Sequence, residues 1–146
     1  MKTIFIGIPA YNEAQNILKL LESIMAQKQD AFEVTEIIVI CDGCTDNTAD
    51  LVRNFTQKHL KIKLVDERQR LGQAQRLNQL YKMASQDIFI TFDADIILAD
   101  TGVITKLVEG FNEPKVGLVG GNNIAFAQKN WVEKMAAVWD ELWYQI

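Results

Sequence analysis

Short runs of apolar, mostly β-branched residues alternate along this chain with segments whose apolar positions recur at helical spacing. Thr3 to Ile8 predicts a first strand stopped by Pro9. Ile17, Leu18, Leu21, Ile24 and Met25 then mark one face of a helix that begins near Asn12 or Glu13. Ile37 to Ile40 predicts a second strand, and the polar run Asp42-Gly43-Cys44-Thr45-Asp46-Asn47 predicts a turn and helix cap. Ala49, Val52 and Phe55 continue on the apolar face of a second helix. Ile62 to Val65 reads as a third strand. The helix after it carries Ala74, Leu77, Leu80 and Tyr81, and Ile88 to Phe92 is a fourth strand. Asp100 or Thr101 can cap a helix with Ile104, Leu107, Val108 and Phe111 inward, which Asn112-Glu113-Pro114 breaks. Val116 to Val119 predicts another strand, and Trp131 to Trp143 a final, aromatic-rich helix.

Apolar strands separated by helices argue for a mostly parallel sheet flanked by helices, an α/β fold. Its strand ends carry three polar clusters: Pro9 to Glu13, Asp42 to Asp46, and Asp93 to Asp95. Open α/β sheets bind ligands outside the carboxyl ends of their strands, so clusters at three such ends point to one crevice. Asp93-Ala94-Asp95 follows the apolar run Ile88 to Phe92, and in extended backbone its two carboxylates share a face while Ala94 points away. Such a pair can hold a divalent ion against a phosphate.

A length of 146 residues suits one domain. With 49% hydrophobic and 23% charged residues, the chain has globular composition. A net charge of -4 offers no attraction to nucleic acid, which is not expected as a partner. Arg68, Arg70 and Arg76 are better matched to a small phosphate ligand. The apolar start is too short for a signal peptide, and there is no unbroken apolar stretch of about 18 residues. The expected location is therefore cytoplasmic, with the cytoplasmic face of the membrane as the alternative for a longer parent protein. Two cysteines fit a reducing compartment.

Taken in order, Pro9-Ala10-Tyr11-Asn12-Glu13, Asp42-Gly43-Cys44-Thr45-Asp46-Asn47-Thr48, Gly72 with Leu77-Asn78, and Asp93-Ala94-Asp95 resemble glycosyltransferase family 2, with its GT-A nucleotide-sugar-binding fold. The resemblance implies a donor-binding domain over residues 1–146. Pro9, Tyr11 and Glu13 would border the nucleotide, with the Tyr11 ring near the base, and Asp42 would accept a hydrogen bond from the uracil imide or the ribose. The acidic pair would hold Mg or Mn, Asp95 nearer the diphosphate and Asp93 at the ribose or the metal shell. Arg70, ahead of the third helix, is the candidate for the diphosphate. The family often has Lys after the glycine and Ala before Leu-Asn. Here Gln73 and Arg76 stand in those places, and Arg76 reads as a solvated helix residue. Plainer readings sit beside these: Pro9 ends a strand, Asn12 caps a helix, and Asp46 is chiefly a cap.

An inverting enzyme needs a carboxylate base toward its acceptor, and none can be matched between Asp95 and Ile146. The acceptor-binding and catalytic-base part is thus expected elsewhere, in further polypeptide or another subunit. The aromatic terminal helix offers a face for that region, for a partner or for a membrane surface. The chain alone is expected to bind a nucleotide-sugar donor, UDP-linked by resemblance, and to transfer little. The full-length protein is expected to be a metal-dependent glycosyltransferase acting on a sugar, lipid or protein acceptor. Alternatives are a nucleotide-sugar-binding or assembly module without transfer activity, a nucleotidyltransferase, and a dithiol redox protein built on Cys41 and Cys44.

Overall fold

The computed structural model describes residues 1–122, so the helix expected over Trp131 to Trp143 lies outside the described residues. The chain divides into two compact units, Met1–Val116 and Gly117–Ile146. In the first unit the elements run β1 (Lys2–Ala10), α1 (Ile17–Met25), β2 (Phe32–Asp42), α2 (Thr48–Thr56), β3 (Ile62–Glu67), α3 (Gln73–Met83), β4 (Ile88–Thr91) and α4 (Val103–Glu109). A single 3₁₀ turn, Gly110–Asn112, follows α4.

All three strand pairings are parallel, and the strand order is β3-β2-β1-β4. β1 has a core on each face of the sheet, which explains why Ile4 to Ala10 are buried without interruption instead of alternating. Its odd and even residues serve opposite faces. Ile4, Ile6 and Ile8 join Ile17, Leu20, Leu21, Val52 and Ile104 in the larger core beneath α1, α2 and α4. Phe5 joins Ile38, Ile40 and Leu80 in a smaller core beneath α3. The parallel sheet flanked by helices is the expected fold class, with helices on both faces.

At Gly7 there is no room for a side chain between β1, Leu80 of α3 and Phe89 of β4. A Cβ there would stand 2.8 Å from the Phe89 ring and 3.0 Å from Leu80. Gly7→Ala is therefore expected to lower unfolding free energy by about 1–3 kcal/mol through overpacking, measured by urea denaturation.

Several elements differ from the sequence reading. β1 does not stop at Pro9, which pairs with Ile40, but runs on to Ala10. β4 pairs with β1 only from Ile4 to Gly7. Among the described residues, that side of β1 beyond Gly7 is an edge, where a residue without an N–H is tolerated. The first helix starts at Ile17, because Asn12 has a left-handed backbone (φ 55°) and residues 13–16 form a turn on the Glu13 carbonyl. In α3 the buried residues are Arg76 and Leu80, while Tyr81 is 58% exposed. Val116 to Val119 forms no strand: the described sheet ends at β4, and an apolar run without a neighbouring ladder has nothing to pair with.

Candidate functional site

The strand order changes direction at β1, whose neighbours β2 and β4 are reached through helices on opposite faces of the sheet. Such a switch point is where open α/β sheets form a ligand crevice. The polar clusters expected from the sequence follow the carboxyl ends of β1, β2 and β4, and side-chain hydrogen bonds tie them together.

The loop after β1 is fastened to the loop after β2. The Asn12 amide oxygen accepts the backbone N–H of Thr45 at 2.8 Å, and the Thr48 hydroxyl accepts that of Glu13 at 2.8 Å. Asp46 binds both loops, accepting the N–H of Ala14 at 3.2 Å and of Thr48 at 3.0 Å. Burial pushes the Asp46 carboxyl up. The Thr48 hydroxyl and the Thr48 and Ala14 N–H groups outweigh it and hold the group below the usual carboxylate range. The N-cap of α2 is Asn47, so Asp46, expected as the cap, stands one residue ahead of it and takes the N–H of the first helical residue, while Asn12 binds across loops instead of starting a helix. The Glu13 carboxylate accepts from the Asn16 side chain at 2.9 Å. Between these loops lies a cleft of about 420 Å³ lined by Asn12, Glu13, Asn16 and Asp46 among others; the acidic pair is not part of its lining.

Asp42 ends β2 and is 4% exposed. One carboxylate oxygen accepts the backbone N–H of Leu71 at 2.8 Å and Arg76 Nε at 2.7 Å, and the other accepts the N–H of Gly72 at 2.8 Å. Burial opposes the charge, but these donors hold the group ionised, below the usual carboxylate range. Gly43 turns the chain with φ +67°, and a Cβ there would lie 2.8 Å from the Arg70 backbone nitrogen. Glycine is needed here on both counts. Arg70 is exposed, and its guanidinium lies over the Tyr11 ring at 3.7 Å from the centroid. Two residues singled out from the sequence are thereby brought together.

Asp93 and Asp95 follow β4 in a turn closed by the Ile96 N–H on the Asp93 carbonyl at 3.4 Å, so the pair is not a continuation of the strand. The expected division of faces still holds: both aspartates are exposed, and Ala94 between them is buried. The Gln73 side chain donates to Asp93 at 2.7 Å, linking the start of α3 to the acidic turn. Neither aspartate pairs with a cation among the described residues. Two accessible, hard oxygen donors suit Mg or Mn. No cluster of three metal-ligating side chains forms among the described residues. The acidic pair therefore fits a cation that takes the rest of its shell from water and phosphate, as Mg commonly does.

Sequence reasoning missed Arg76. It is 3% exposed, packed against the carboxylate of Asp42, and is not a solvated helix residue. The signal was present in the departure from the family's usual alanine at that place. The redox reading finds no support at Cys41. The thiol is fully buried, and burial first and Cys44 second push its pKa well above the ordinary range, the reverse of a reactive thiolate.

Comparison with known proteins agrees with the fold. The chain is 38% identical over 116 residues to the poly-beta-1,6-N-acetyl-D-glucosamine synthase of Staphylococcus aureus, covering 79% of this chain and 27% of that protein. The enzyme of the same name from Staphylococcus epidermidis is 32% identical over 115 residues, with the same coverage. The chain thus spans about a quarter of the length of these relatives. Among solved structures, the mannosyltransferase PcManGT of Pyrobaculum calidifontis, in complex with GDP-Man and Mn2+, has a TM-score of 0.70 at 30% identity, over 78% of this chain and 33% of that one. Staphylococcus aureus TarS 1-349 in complex with UDP-GlcNAc shares the fold, with a TM-score of 0.63 at 22% identity over 88% of this chain and 39% of that one. The family described as "Glycosyl transferase family 2" matches residues 5–146, and the chain belongs to that family.

Proposed function

We propose that this chain is the nucleotide-sugar donor-binding part of a metal-dependent glycosyltransferase, with a UDP-sugar as donor. The observation that carries this reading is the convergence of the β1, β2 and β4 ends at the sheet's switch point, joined by the start of α3. In this reading Pro9, Tyr11 and Glu13 border the nucleotide. Pro9 is buried and shapes the strand end; Tyr11, 36% exposed, offers an aromatic surface to the base. Asp42 uses three of its roughly four acceptor positions on protein donors and turns the remaining one to an N–H of the base. Arg70 leaves or shares Tyr11 to meet the diphosphate.

Asp95 and Asp93 hold Mg or Mn. When bound, the cation neutralises charge that grows on the departing diphosphate. The relatives' names make N-acetylglucosamine the first sugar to test on UDP. The acceptor site and the base that deprotonates the acceptor hydroxyl belong to the rest of a longer protein or to a partner subunit, acting in the cytoplasm or at the cytoplasmic face of a membrane.

Isothermal titration of the 146-residue chain with UDP and UDP-GlcNAc, with and without Mn, tests the reading. Binding should strengthen at least about tenfold when Mn is present. UDP binding that ignores the cation would remove the metal role. Absence of UDP binding under all conditions would remove the donor role.

A further inference from the structure

Arginine is rarely buried unless its charge and its five N–H groups are all answered. Arg76 is buried on α3, and each of its three guanidinium nitrogens has a partner. Nε donates to Asp42 at 2.7 Å, one terminal nitrogen donates to the Gln69 carbonyl at 2.5 Å, and the other donates to the Gln79 side chain at 2.9 Å. The Glu67 carboxylate stands 3.4 Å from that last nitrogen and itself accepts from Gln79. The backbone between Gln69 and Gly72 is therefore held twice over. Arg76 grips the Gln69 carbonyl, and Asp42, gripped by the same guanidinium, takes the N–H groups of Leu71 and Gly72.

This closed ring does more than neutralise a charge. A carboxylate held from three directions cannot rotate, so its one remaining acceptor position has a fixed aim. A planar fork fixes such an orientation where a point charge does not. Building on the reading that Asp42 meets the donor's base, we propose that Arg76 is a positioning residue for base selection: it locks Asp42 so that the open acceptor position takes a base presenting a ring N–H. Uracil presents an N–H on its pairing edge where cytosine has a bare ring nitrogen, and an ionised carboxylate can only accept. Arg76 touches neither base nor sugar in this arrangement, and its effect passes through Asp42.

The test is titration of the whole 146-residue chain with UDP and CDP in the presence of Mn, for the wild type, Arg76→Lys and Arg76→Met, with the fold of each followed by circular dichroism. The wild type should prefer UDP by about tenfold or more, the scale of one charged hydrogen bond. Arg76→Lys keeps the cation but not the fork, and its preference should fall at least about threefold. In Arg76→Met, if folded, the preference should approach unity. A merely stabilising arginine would lower the melting temperature and leave the UDP to CDP ratio alone. A folded Arg76→Lys with the wild-type ratio therefore overturns the proposal, whether or not Arg76→Met folds. A wild type that binds UDP and CDP equally gives a different result: it overturns the placing of Asp42 at the base.

Discussion

Asp42→Asn is expected to lower the unfolding free energy by about 3–5 kcal/mol, the usual cost of removing one partner of a buried ion pair. The side chain keeps its shape, so no cavity opens, but the Arg76 guanidinium stays 3% exposed with its closest carboxylate gone and only Glu67, 3.4 Å from one terminal nitrogen, left to answer its charge. The amide also turns an NH₂ toward the backbone N–H groups of Leu71 or Gly72, replacing an acceptor with a donor. Urea denaturation of the single variant and of Asp42→Asn with Arg76→Met checks this account. The double variant should recover part of the loss, because it removes the buried guanidinium that lost its closest partner.

The same pair gives the chain a pH dependence of definite sign. The folded pKa of Asp42 lies below its ordinary value, because the Leu71 and Gly72 N–H groups and Arg76 outweigh the burial that pushes it up. Its contribution is then fully present above the ordinary carboxylate pKa, near 3.9, and is lost as the pH falls through the lower folded value. Asp46 is shifted in the same direction and adds to the loss. Stability should be flat from neutral pH to about pH 5 and fall steeply below pH 4, and Asp42→Asn should flatten that fall.

The second large effect is expected at Asp95. Replacing it with alanine should weaken Mn-dependent UDP binding by about a hundredfold, since even groups that only orient a metal's ligands are worth 10–100-fold in affinity. Asp95 is exposed and has no hydrogen-bond partner among the described residues, so the variant should melt within about a degree or two of the wild type. Loss of binding without loss of stability separates this site from Asp42, where both should fall. Unchanged Mn-dependent binding in Asp95→Ala would assign the cation to other groups.

The sequence was most legible where one interaction dominates. β1 and the second half of β2 are apolar runs buried on both faces, β4 is a short apolar run buried at Ile88 and Ile90, and hydrophobic pattern alone marks all three. The acidic pair was also readable, since burial of Ala94 alone reproduces the division of faces even though the backbone there is a turn. What escaped were features that depend on distant partners. Arg76 sits on α3 in a pattern that suggests solvent, and Asp42, 34 residues earlier, draws it inside together with the Gln69 carbonyl and Gln79. Asn12 has the composition of a helix cap, but Thr45, 33 residues later, claims its side chain and leaves it with a left-handed backbone. Tyr11 and Arg70 were each chosen for a ligand, and nothing local announced that they stack on one another.

Loops at the mouth of an open sheet are commonly the first parts of a fold to open. The segment from Gln69 to Gly72 lies on the surface and includes a glycine with φ +92°, yet its amides and carbonyl are gripped from below by a buried carboxylate and a buried guanidinium. Lifting it would strip an ion pair of its partners, at a cost closer to that of partial unfolding than of a loop motion. The loop after β3 is thus a fixed wall of the crevice, as firmly held as the loops after β1 and β2, which Asn12, Asp46 and Thr48 fasten to one another.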